Sequence, residues 1–234
     1  MMNRERRVRH YKPGQTVAYD GEEARGLFWL ESGLIRVTKL TKSGELMTVR
    51  HVLPGDYFGE ESFTTHCFRS ETVALGEAAV CSVDPNKMPS DERLALGVSL
   101  ARQLGRAMLR SDRLRSQTLR QRIVGYLLEL FDTALGGVDA DGSAVVRITH
   151  QLLGEGIGAN RESVSKIIHD LHDEGLLRTA YRRVVLLDLS ALERISHDAE
   201  GWRTALPHRG RPVADAPQIV KPVDSGRRTL TESG

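Results

Sequence analysis

Arg161, Glu162, Ser165 and Lys166 crowd one short stretch of the chain, and at helical spacing they fall on one side. Residues of these types can read base pairs. An arginine fork donates two hydrogen bonds to guanine, and a carboxylate accepts one from the amino group of cytosine; each contact discriminates by roughly 1–3 kcal/mol. The surrounding residues supply the elements that would aim them. Thr149 to Ile168 reads as two short helices joined by a turn at Gly158, the first with Leu152, Leu153 and Ile157 inward. The second begins after Asn160, a good N-cap, and buries Val164, Ile167, Ile168 and Leu171 at three- and four-residue steps. That leaves Arg161, Glu162, Ser163, Ser165 and Lys166 as candidate contacts near a helix N-terminus, the part of a helix-turn-helix that enters the major groove. A plain helix pair in which Glu162 and Lys166 merely form an i,i+4 ion pair has the same local pattern. The flank separates the two readings. After Gly175, the run Leu176-Leu177 and then Tyr181–Leu187 predicts a short basic hairpin ending in an apolar strand. Such a wing would set Arg182 and Arg183 beside phosphates.

With 234 residues the chain can hold two modest domains, and its net charge of +2 means that any affinity for duplex DNA rests on locally placed charge. No apolar run approaches the roughly 20 residues that cross a bilayer. The basic start, Met1–Arg7, lacks the apolar segment of a signal peptide. Cys67 and Cys81 are too few for a disulfide framework or a cysteine-only iron–sulfur site. A reduced cytoplasmic protein with no membrane partner is expected.

The fold class expected is α+β. Between residues 9 and 89, short β-like runs alternate with glycine turns: Thr16–Tyr19, Gly26–Leu30, Leu34–Leu40, Leu46–Val52, Thr72–Leu75 and Ala78–Val83. That spacing suggests a closed barrel or jelly roll. Residues 90–135 read as one long helix, with Leu94, Val98, Ala101, Gly105 and Met108 in a stripe that one small barrel cannot bury. A second copy of the chain is the simplest partner for it. A hinge is expected near Thr133–Val138, then a winged helix-turn-helix over 136–198, then a solvated tail over 199–234.

Within the barrel, Phe58-Gly59-Glu60 and Arg69-Ser70 could together hold a phosphate and a sugar: Arg69 as a planar fork, Ser70 as a hydroxyl, Glu60 as an acceptor. A simple Glu60–Arg69 salt bridge is the competing reading. His51 and His66 are conceivable haem ligands, and Cys67 beside Arg69 a conceivable redox thiol, although surface or hydrogen-bonded roles are commoner for such residues. A nucleotide-processing enzyme would need a metal cluster or an activated nucleophile, and the sequence offers neither His-x-His nor His-Glu-x-x-His.

Phe-Gly-Glu…Arg-Ser in the first part and Ile-Gly-x-x-Arg-Glu-x-Val in the last, in the order barrel, long helix, winged helix-turn-helix, resemble the cyclic-AMP receptor and fumarate/nitrate-reduction regulator family of bacterial transcription factors over about residues 10–197. The resemblance implies a cyclic-nucleotide-binding barrel, with Gly59 and Glu60 at ribose positions and Arg69 and Ser70 at cyclic-phosphate positions. It implies Arg161, Glu162 and Lys166 as base readers and His150 and Asn160 as phosphate contacts on a TGTGA-like half-site. A homodimer, palindromic double-stranded DNA and RNA polymerase are the implied partners, and cyclic AMP the implied effector rather than an obligatory cofactor. One position departs. Where the cyclic-AMP-responsive members place a Thr-Ser pair against adenine, this chain has Ala107-Met108, leaving Thr72, Arg110 or Ser111 to touch a base. A regulator that needs no ligand is therefore the alternative.

Overall fold

The structure, a computed structural model, describes residues 7–42, 44 and 46–196; the tail expected beyond 198 lies outside them. Eight strands build the N-terminal unit: β1 (Val8–Tyr11), β2 (Thr16–Ala18), β3 (Leu27–Ser32), β4 (Ile35–Leu40), β5 (Leu46–Val52), β6 (Tyr57–Phe58), β7 (Glu71–Ala74) and β8 (Ala78–Val83). They pair antiparallel into two four-stranded sheets, β1-β8-β3-β6 and β2-β7-β4-β5, around a core of Leu30, Ile35, Val37, Val52, Phe58, Ala74 and Val80. This is the expected jelly roll. All six expected strands are present; β1 and β6 are additional. β1 is exposed at three of its four positions, two of them the polar Arg9 and His10, and β6 has two residues, so neither carries an alternating apolar signal.

The single helix expected over 90–135 is two helices, α1 (Ser90–Ser116) and α2 (Leu119–Phe131). The break lies at Gln117-Thr118, where a capping box forms: Thr118 Oγ1 accepts from the Gln121 N–H at 3.3 Å, and Gln121 Oε1 accepts from the Thr118 N–H at 3.0 Å. Replacing Thr118 by alanine removes the cap of α2. The expected cost is about 1 kcal/mol, read as a Tm lower by roughly 2–4 °C in a thermal melt.

One side of α1 is bound to the barrel through polar groups at i, i+4 and i+7. Ser99 Oγ accepts from the Tyr57 N–H at 2.9 Å, Gln103 Nε2 donates to the Tyr57 carbonyl at 2.6 Å, and Arg106 pairs with Asp56. The opposite side carries Leu94, Val98 and Met108, all solvent-exposed, Met108 at 65 %. The expected stripe therefore exists, and the barrel does not cover it.

α2 packs into the C-terminal unit, whose sheet orders β11-β12-β10-β9 from β9 (Gly136–Val138), β10 (Ala144–Val146), β11 (Leu177–Ala180) and β12 (Arg183–Leu186). Ile123, Val124, Leu127 and Leu130 of α2 share one core with α3 (His150–Ile157), α4 (Arg161–Asp173) and the β11–β12 hairpin. The short α5 (Leu189–Ser196) closes it against α2. The covalent joint between α1 and this unit thus falls at Gln117-Thr118, not near Thr133–Val138, whose end is already a strand of the unit.

Candidate nucleic-acid interface and barrel pocket

α3 ends at Gly158, whose positive φ of 66° turns the chain, and α4 starts at Asn160, whose Oδ1 accepts from the Ser163 N–H at 2.8 Å. Val164, Ile168 and Leu171 are buried, so the rotation of α4 is fixed, and Arg161, Glu162 and Lys166 stand in solvent on its outer side. Ser163 is half-buried. Ser165, expected on the outer face, is also half-buried: its Oγ lies 3.0 Å from His150 Nδ1 and ties α4 to α3. Helical spacing could not reveal this, because the partner comes from the neighbouring helix. Burial, and then the nearby Arg161 charge, hold the His150 pKa below its ordinary value.

The β11–β12 hairpin forms the wing. Arg182 sits at its tip with φ 54°, beside Tyr181, which is 90 % exposed. Arg183 is less free than expected, since its Nη1 lies 2.6 Å from Asp139 Oδ2. A cleft of about 350 Å³ runs between the wing and the start of α4, bordered by His150, Gln151, Arg161, Tyr181, Arg182 and Arg183. Its cationic lining at the start of α4 suits a phosphate strand. Gln151 was missed from sequence, and Tyr181 was noted only as part of the hairpin. An aromatic residue in a basic turn is the signal that would have singled out Tyr181. The helix pair is tied to α2 beneath it: Arg122 Nη1 donates to the Ile157 carbonyl at 2.9 Å, and Arg120 grips Glu174 at the end of α4 through two bonds of 2.7 and 2.5 Å.

The barrel constellation differs more from expectation. Gly59 has φ 86° and opens the expected turn, Glu60–Phe63. Phe58 is not free to line a ligand; it is fully buried and stacks on Phe28 with ring centroids 5.1 Å apart. Glu60 does not pair with Arg69. It takes a two-pronged ion pair from Arg50 on β5, with contacts of 2.6 and 2.7 Å. Burial alone would raise the Glu60 pKa, but the hydrogen bond and charge of Arg50 bring it below its ordinary value. Arg69 points to solvent while Ser70 is buried. Of the candidate base contacts, the Thr72 hydroxyl lies 3.4 Å from the Ala18 carbonyl, and Met108 and Ser111 are exposed on the outer helix. Ala107 borders a crevice between β5, α1 and α2 of about 50 Å³, far below the roughly 300–1,000 Å³ of small-molecule sites.

The proposed haem and redox residues have other settings. His51 is buried, its Nε2 3.0 Å from Tyr126 Oη and its Nδ1 3.7 Å from Glu129. Burial holds His51 below its ordinary pKa. Burial would raise Glu129, but His51, Arg110 and Arg113 bring it down to about 2. His66 is exposed in a loop, and Cys67 is a half-buried free thiol.

Comparison with known proteins places these units. The cyclic nucleotide-binding domain family matches residues 8–90, and the Crp-like helix-turn-helix domain family matches residues 121–195. The transcriptional regulator LdrP of Thermus thermophilus is 44% identical over 187 residues, which cover 80% of this chain and 95% of the relative. The transcriptional regulator SdrP of the same species is 33% identical over 201 residues, covering 83% and 96%. The crystal structure of a CRP-family transcriptional regulator, also from Thermus thermophilus, superposes with a TM-score of 0.78 at 44% identity, covering 80% of this chain and 96% of that one. These relatives are regulators and not enzymes. With a jelly roll, a long helix and a winged helix-turn-helix in that order, the chain belongs to the cyclic-AMP receptor and fumarate/nitrate-reduction regulator family of DNA-binding transcription regulators.

Proposed function

We propose that the protein is a homodimeric transcription regulator that binds a palindromic, TGTGA-like duplex site with no cyclic nucleotide in its barrel. The observation that carries DNA reading is the solvent-facing edge of Arg161, Glu162 and Lys166 on a helix whose rotation and mount are fixed by its buried face. Arg182, Tyr181 and His150 flank that edge as backbone contacts. The exposed stripe of Leu94, Val98 and Met108 supports pairing of two α1 helices, with one recognition helix on each side of the dyad. RNA polymerase is the expected partner once DNA is bound.

Independence from a nucleotide rests on Arg50. Its guanidinium already makes the two hydrogen bonds at Glu60 that ribose hydroxyls would compete for, and Ala107 and Met108 offer adenine no polar side-chain group. Control by cyclic AMP is the second reading, favoured by the presence of Gly59, Glu60, Arg69 and Ser70 at the matching positions.

The test is DNA affinity with and without cyclic AMP for the wild type, Arg69→Ala and Arg50→Ser. The expected result is tight palindrome binding whose affinity cyclic AMP leaves unchanged in the wild type, well short of the roughly 5- to 150-fold coupling typical of an allosteric effector. Tightening of that size in the wild type, abolished by Arg69→Ala, would establish the nucleotide-controlled reading instead.

A further inference from the structure

Arg36 and His51 are direct cross-strand neighbours on β4 and β5. All four residues from Ile35 to Thr38 are buried, with Ile35 and Val37 in the barrel core. The alternation of a strand therefore turns Arg36 to the barrel's outer side, where the DNA-reading unit covers it. There Arg36, only 6 % exposed, reaches Glu155 of α3 at 2.5 Å. Glu155 also accepts from Gln151 Nε2, at 3.1 Å. His51 meets Tyr126 of α2 at 3.0 Å, with the rings stacked 5.6 Å apart.

Tyr126 in turn lies against α3 with no room to spare: a Cβ on Gly156 would fall 2.0 Å from its ring. From α1, Arg110 stands 5.5 Å over the same ring and Arg113 lies 3.4 Å from Glu129. Around these polar contacts, Leu34, Leu53 and Leu75 at one end of the barrel pack into the core of the DNA-reading unit. Two side chains on one strand pair thus reach both helices that carry α4.

A buried ion pair adds little net stability, but it admits few geometries. An apolar contact alone would tolerate sliding. We infer that Arg36 and His51 are positioning residues: they latch the winged domain to the barrel in one orientation and so set the distance between the two recognition helices of the dimer. The inference rests on the dimeric, palindrome-binding reading above. It adds that the spacing is built into the fold rather than supplied by a ligand.

The test compares wild type, Arg36→Met and Tyr126→Phe on three kinds of duplex: a single half-site, the palindrome, and palindromes whose half-sites are moved by one base pair, roughly 3.4 Å and 34°. Neither Arg36 nor Tyr126 lies on the base-reading edge of α4, a half-site control reads any effect passed to Gln151 through Glu155, and a thermal melt checks that each variant is folded. The wild type is expected to reject altered spacing by about ten-fold or more, since each 1.4 kcal/mol of misfit is a factor of ten. Both variants are expected to bind the half-site as the wild type does while their spacing preference falls to within about three-fold, a change that general loosening of the fold would not produce. If the variants keep the wild-type spacing profile, or lose half-site and palindrome affinity in equal proportion, the latch is refuted. A wild type that binds palindrome and half-site equally would refute the dimeric reading itself, and the latch with it.

Discussion

Arg161→Ala is expected to weaken palindrome binding by roughly 2–6 kcal/mol, thirty-fold or more, because each protomer forfeits about 1–3 kcal/mol at one base. The loss should be selective. Arg161 is the first residue of α4, exposed, and faces the cleft between helix and wing. A side chain there that pairs with guanine makes one base position matter; without it, all four bases at that position should bind with similar affinity. Glu162→Ala should relax selection in the same way at a neighbouring cytosine. Affinities for a set of duplexes carrying every single-base change in one half-site check both statements. If the variant instead weakens binding to all duplexes alike and lowers the salt slope by about one, Arg161 touches a phosphate and not a base.

The second large effect concerns α1. Val98→Glu together with Met108→Glu places two carboxylates on the stripe opposite the Ser99–Gln103–Arg106 ladder. Buried between two α1 helices, these charges would be unpaired, and each copy would face its twin's. The expected outcome is a chain that still folds, because the barrel contacts lie on the other side of the helix, but that sediments as the 26.0 kDa monomer. Palindrome affinity should then drop toward half-site affinity, a loss of about 10²–10⁴ as the linkage between two sites disappears. A variant that remains dimeric would place the dimer contact elsewhere.

How far the sequence foretold this structure depended on distance along the chain. The helix-turn-helix was legible because everything that defines it is local: the Asn160 cap, the Gly158 turn and the buried series Val164, Ile168, Leu171. The barrel strands were legible from glycine-punctuated apolar runs, and the exposed stripe of α1 from its period. The break at Gln117-Thr118 carries neither proline nor glycine, and its one local signal is the Thr118-x-x-Gln121 capping box. The contacts on which the proposed ligand independence and the latch rest were not legible. Arg50 reads as an ordinary strand arginine until closure of the barrel brings it to Glu60, and Arg36 meets Glu155 across 119 residues. Ser165 fits an outward position by spacing, yet His150 descends onto it from the neighbouring helix. In each case the missing information was which second element would come to lie alongside.

The central claim, that the outer edge of α4 reads base pairs from a paired chain, is tested most directly by letting the full-length protein select duplexes from a random pool and then measuring the selected sequence against a scrambled one at the same salt. The account requires an inverted repeat with half-sites about 34–36 Å apart, bound about 10³-fold or more tighter than the scrambled duplex, with Arg161→Ala losing that margin. Selection of no repeat, or equal affinity for selected and scrambled DNA, would contradict it.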